Sequence, residues 1–80
     1  MDTYRSGGAD IAAAIRRDIA SGGLQRHDRL PPERVLSTTY RAARGTVRKA
    51  LAQLETEGFV EIRAGSGTYV TAPETEAVPS

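Results

Sequence analysis

The sequence predicts a mainly α fold carrying a small β-hairpin, on three observations. Apolar residues recur at helical spacing in three separate stretches between residues 11 and 54. Glycines and a Pro-Pro step punctuate those stretches where helices would stop and start. Beyond Gly58 the pattern turns to alternation, in two short runs joined by a glycine-containing loop.

Each element follows in chain order. Residues 1–8, "MDTYRSGG", show no periodicity and are expected to form a mobile lead-in. Asp10 is placed as the N-cap of a first helix. Ile11, Ile15 and Ile19 then recur every four residues beside Ala12 and Ala14, and Gly22-Gly23 ends the helix. That isoleucine stripe is core. "LQRHDRLPP" reads as a loop pinned by Leu24 and Leu30; its histidine, His27, lacks the partners a metal or catalytic site needs. Pro32 fits the first position of a second helix and Glu33 its first turn, with Leu36 and Tyr40 on the buried side. A break near residues 41–43 leads into a third helix, where Val47, Ala50, Leu51 and Leu54 share one face. Gly58 is expected to close it in the left-handed conformation. "FVEIR" and "TYVT" are the strands, "AGSG" the hairpin loop, and "TAPETEAVPS" a tail or linker. The expected organisation is a lead-in over residues 1–8, one domain over 9–72 and a tail over 73–80. Two helices joined by so short a turn can cross steeply, as in a helix-turn-helix. With a third helix before them and a two-stranded wing behind, the arrangement is a winged helix-turn-helix.

Composition narrows the function. Eighty residues build one small core and leave little room for a large active-site cleft. There is no cysteine, so neither disulfides nor a thiolate metal site holds the chain. No apolar run approaches a signal-peptide core or a membrane span, which makes the cytoplasm the expected location. No nucleophile–histidine–carboxylate set, metal-ligand cluster or phosphate loop is evident, so neither an enzyme nor a cofactor is expected. The net charge of +1 conceals an asymmetry. Arg34, Arg41, Arg44, Arg48 and Lys49 lie in a stretch without an acid, a local +5 against −4 over the rest. Such a footprint suits a polyanion, although a solvated helix face would also carry it.

The segment "RAARGTVRK" concentrates the anomaly. A helix start bears partial positive charge and favours Asp, Ser, Thr or Asn as its cap. Here it carries arginines, and Ala43 where the cap should sit. A phosphate backbone lying across that entrance would reverse the sign of the effect, because amides, dipole and arginines attract the same anions. On a helical wheel Gly45, Lys49 and Ala52 point away from the core face, with Thr46 and Arg48 on the flanks. That arc is the candidate for insertion into a major groove, N-terminal end first.

The pieces "IAAAIRRDIASGGL", "RLPPERVL", "RGTVRKALAQLETEGFV" and "GSGTYV", in this order, resemble the DNA-binding domain of the GntR family of bacterial transcription regulators. The resemblance covers residues 11–70. It implies sequence-specific binding to double-stranded DNA, usually as a homodimer on a roughly palindromic operator, and repression as the commoner outcome. It also implies a small-molecule effector acting through a further domain, which these residues do not supply. By the same resemblance Arg44, Thr46 and Arg48 fall on positions that commonly contact DNA, and Arg34 matches an arginine that would hold a phosphate. An ion pair of Arg34 with Glu33 or another surface acid is the plainer alternative. Gly45 and Arg41 depart from the family pattern. The first stands where a side chain is common, the second where a turn glycine is usual. A left-handed arginine costs about 1 kcal/mol, so a different turn geometry is conceivable there. At the wing tip, Gly65, Ser66 and Gly67 serve either the hairpin turn alone or a slim tip following the minor groove.

Two rival functions remain. A winged helix used for protein association would show an apolar exposed face, whereas the sequence offers a basic one. An RNA-binding module would need an aromatic platform, and Phe59 and the three tyrosines are scattered.

Overall fold

A computed structural model describes residues 7–71. Helices α1 (Gly8–Ser21), α2 (Glu33–Tyr40) and α3 (Arg44–Thr56) precede strands β1 (Val60–Arg63) and β2 (Gly67–Val70). The strands pair antiparallel, Val60 opposite Val70 and Arg63 opposite Gly67. Most of the expected lead-in, and the expected tail over 73–80, lie outside the described residues.

The apolar stripes meet as their spacing requires. Ile11, Ala12 and Ile15 from α1 pack with Leu36 from α2 and with Val47, Ala50, Leu51 and Leu54 from α3; Leu30, Val60 and Val70 complete the core. Ile19, Leu24, Tyr40, Ala42 and Phe59 cover its margin. Burial of the Tyr40 ring, and secondarily the nearby charge of Asp18, raise its hydroxyl above the ordinary tyrosine value. The third helix is the hub, because α1, α2 and β1 all contact it.

Several boundaries differ from the sequence expectation, each for a local reason. Helix α1 begins at Gly8, inside the expected lead-in, and its N-cap is Gly7 rather than Asp10. Asp10 sits in the first turn instead, where its carboxylate accepts the Gly7 amide at 3.3 Å. An acid is favourable at either place, so the residue type could not choose between them. Pro32 is the N-cap of α2 rather than its first residue, so the helix starts one position later than expected, at Glu33. Gly22 ends α1 as expected, in the left-handed conformation at φ 91°, and Gly58 follows α3 at φ 87°, left-handed as expected.

The loop before α2 contributes an unexpected extended edge. The Leu30 amide donates to Thr68 at 2.8 Å, the Val70 amide to Asp28 at 2.8 Å, and the His27 amide to Val70 at 2.8 Å. Arg29 is thereby bridged to Tyr69, on the side of β2 away from β1. A bridge of one residue pair, within a run of His, Asp and Arg, has no alternation to betray it. On the other side, the Ile62 amide of β1 donates to the Glu55 carboxylate at 3.0 Å, which pins the hairpin to the end of α3. Tyr69 belongs to the hairpin's own bracing rather than to the core. Its ring lies 4.6 Å beneath the Arg63 guanidinium, and its hydroxyl is 3.0 Å from that of Ser66.

Candidate nucleic-acid interface

The turn between α2 and α3 fixes the site. Arg41 adopts φ 53°, ψ 50°, so the left-handed geometry is kept despite the lack of glycine. Hydrogen bonds hold it there. The Ala42 amide donates to the Ser37 carbonyl at 3.0 Å, and the Ser37 hydroxyl donates to the Ala42 carbonyl at 2.6 Å. One serine thus closes the turn from both sides, offsetting an arginine backbone strain of about 1 kcal/mol.

From that turn α3 starts without a side-chain cap, at Ala43. The Thr46 and Val47 amides donate to the Ala43 carbonyl at 3.0 and 3.1 Å. The amides of Arg44 and Gly45 have no acceptor among the described residues and are left open at the helix start. The first turn of α3 carries no acid.

The predicted outward arc is exposed at Arg44, Gly45, Arg48, Lys49 and Ala52, and half-buried at Thr46. A Cβ added at Gly45 would meet nothing within 4 Å, so the protein's own packing does not demand glycine there. Arg34 lies close to this edge, for it and Arg44 line one shallow cleft with Val35, Ser37, Thr38 and Thr39. Gly65 (φ 77°) shapes the hairpin turn, in which the Ser66 amide donates to the Arg63 carbonyl at 2.9 Å. Both readings of the wing tip remain compatible with this geometry, and the Ser66 hydroxyl is already engaged with Tyr69.

One acid interrupts the basic edge, and it takes an unexpected partner. Glu33 pairs with Arg48 of α3, not with Arg34. Arg48 donates from Nε to Oε2 at 3.0 Å and from Nη2 to Oε1 at 2.9 Å, a two-pronged contact between α2 and α3. Hydrogen bonds from Arg48 foremost, and then the charges of Arg48 and Arg44, hold the Glu33 carboxyl below the ordinary carboxylate range. The same contact raises the Arg48 guanidinium above its usual value. Fifteen residues separate the two, so nothing in the sequence joins them. Arg34 makes no ion pair with a described acid.

A helix pair joined by a three-residue turn, with a basic leading edge and a small wing beside it, defines a winged helix-turn-helix. Residues 8–70 match the family described as bacterial regulatory proteins, gntR family, and the chain belongs to it. Among curated relatives, the chain is 48% identical over 60 residues to the mannosyl-D-glycerate transport/metabolism system repressor MngR of Escherichia coli, covering 75% of this chain and 25% of that protein. It is 40% identical over 60 residues to the Uxu operon regulator of Haemophilus influenzae, covering 75% of this chain and 23% of that one. The chain therefore spans about a quarter of the length of these relatives. Among solved structures, the DNA-binding domain of AraR in complex with operator ORX1 superposes with a TM-score of 0.77 at 27% identity, over 88% of this chain and 81% of that one. A GntR family transcriptional regulator from Listeria monocytogenes gives 0.82 at 25% identity, over 94% of this chain and 66% of that one. No helix among the described residues is long and apolar enough to cross a membrane.

Proposed function

We propose that this chain binds double-stranded DNA sequence-specifically as the reading part of a bacterial transcription regulator, with α3 in the major groove. The observation that carries the reading is the edge of α3. Arg44, Arg48 and Lys49 are exposed there beside Arg34, above two open backbone amides, with Glu33 the acid among them. The repressor and the operator-bound domain to which the chain is similar support the same reading.

In this reading Arg44 grips a guanine edge through two parallel hydrogen bonds, a contact worth about 1–3 kcal/mol of discrimination. Thr46 donates to phosphate or touches a thymine methyl, and the bare Gly45 lets backbone and DNA approach closely. Arg48 and Lys49 extend the contact along the helix, Arg34 holds a phosphate, and Gly65, Ser66 and Gly67 follow the adjacent minor groove. A homodimer on a roughly palindromic operator would place two such helices in successive grooves. Repression is the proposed outcome, in the cytoplasm, with any small-molecule effector acting through a domain outside these 80 residues. The relatives' role as regulators agrees with a non-enzymatic function.

Protein association finds less support. Among the described residues the exposed large apolar side chains are Val35 and Ile62, at 38% and 40% exposure, too few for an apolar docking face. Arg44→Ala tests the proposal. Sites selected from random duplexes should lose preference at one position per half-site, affinity should fall about tenfold or more, and the thermal transition should stay in place. Unchanged affinity and preference would remove α3 from the reading role.

A further inference from the structure

The wing of this protein has a cation that its own tip does not encode. Gly65, Ser66 and Gly67 bring no charge, and Arg63 at the end of β1 is already engaged. It pairs with Glu61 at 3.1 Å and lies over the Tyr69 ring. Arg29, from the loop before α2, reaches the same place by another route. Its backbone is bridged to Tyr69 and flanked by the Leu30–Thr68 and Val70–Asp28 hydrogen bonds, so its Cα is fixed against β2. Its side chain then crosses Gly67. A Cβ built on Gly67 would fall 2.6 Å from the Arg29 Nε and 3.3 Å from its Cζ and Nη2. Gly67 also sits at φ 133°, where side chains are rarely tolerated. The glycine thus serves the turn and seats the guanidinium.

The seated cation is exposed and makes no ion pair with a described acid. It lines one cleft with Gly65, Ser66 and Glu33, and Glu33 in turn holds Arg48 of α3. The cleft therefore runs from the wing tip towards the edge of α3 at which DNA is proposed to bind. A strand leaving the major groove towards the wing would cross it, and a guanidinium there meets phosphate before it meets any base.

We propose that Arg29 is the wing's phosphate-binding residue, lent to the hairpin across Gly67. This rests on the DNA-binding reading above. It adds a contact outside helix α3, from the loop before α2. As a phosphate contact it should strengthen binding to all sequences alike rather than select among them.

The test is the salt dependence of binding to a random-sequence duplex of about 20 base pairs, long enough for one such domain. Each phosphate contact contributes about 0.9 to the slope of log affinity against log salt. Arg29→Gln should lower that slope by about one contact and weaken binding several-fold, with the thermal transition unmoved, and Arg29→Lys should restore most of the slope. Gly67→Ala should reproduce the loss by displacing the guanidinium, and adding it to Arg29→Gln should cost little more. If Gly67→Ala does not fold, the Gln and Lys variants still decide. An unchanged slope in Arg29→Gln, while Arg44→Ala lowers affinity for a selected site, would overturn the assignment of Arg29 alone. If neither substitution changes binding, the DNA-binding reading falls with it.

Discussion

Glu33 and Arg48 show how a single pair can set the balance between fold and ligand. In the free chain the Arg48 guanidinium faces a carboxylate, and on DNA it would face phosphate or a base edge. The pair is exposed, with the Arg48 side chain 65% accessible, so it adds little to stability and is open to exchange. Glu33→Gln should therefore raise affinity for random duplexes, because it frees Arg48 and removes one repulsive charge. Fluorescence anisotropy would measure this, and a fall in affinity would instead make Glu33 a required support for Arg48. The pH dependence has a definite sign. Folding lowers the Glu33 pKa, so the unfolded chain binds the proton more tightly. The pair's contribution is present above the unfolded carboxylate value of about 4.3 and is lost as pH falls through the lower folded value. Wild type should accordingly lose more of its thermal stability than Glu33→Gln does between pH 5 and strongly acidic solution, by a small margin. At this scale the sequence was only partly legible. The exposed basic arc could be read from helical spacing, whereas the Glu33 and Arg29 contacts join residues far apart in the chain.

Between α2 and α3 the element of interest is a three-residue turn held in a strained shape. Arg41→Gly removes the left-handed penalty and should stabilise the domain by about 1 kcal/mol. Ser37→Ala breaks the closure and should destabilise it by about 1 kcal/mol. Chemical denaturation reads both, and equal stability of Arg41→Gly and wild type would show that Arg41 is not strained. The turn delivers a helix whose first two amides are open. Exchange at Arg44 and Gly45 should be fast without DNA and slow with it, while Thr46 and Val47, already bonded to Ala43, change less. Helices proved the most legible elements, because their stripes of Ile11 and Ile15, or Val47 and Leu54, repeat across several turns. Their starts were less so. Asp10 and Pro32 suit neighbouring positions almost equally, and hydrogen-bond geometry, not residue type, decides between them. The Arg29 bridge was hidden because a lone bridged residue has no period.

The whole molecule is a small core that carries a charged edge. Stability rests on few side chains, and Leu54, fully buried where α3 meets the other elements, is among them. Leu54→Ala should cost about 2–5 kcal/mol, enough to unfold much of a domain this size and to abolish binding with it. That loss is distinct from Arg44→Ala, which should remove preference at one position per half-site and leave the fold. The order of elements was legible as a whole because three helical stripes and one hairpin admit few arrangements. How the basic edge meets a duplex is tested most directly by amide chemical-shift mapping of the labelled chain during titration with selected duplex DNA. The account predicts the largest shifts at residues 44–49, with smaller ones at Arg34, Arg29 and residues 65–67, all reversed by added salt. Shifts confined to the exposed face of α1, with α3 silent under saturating DNA, would contradict it.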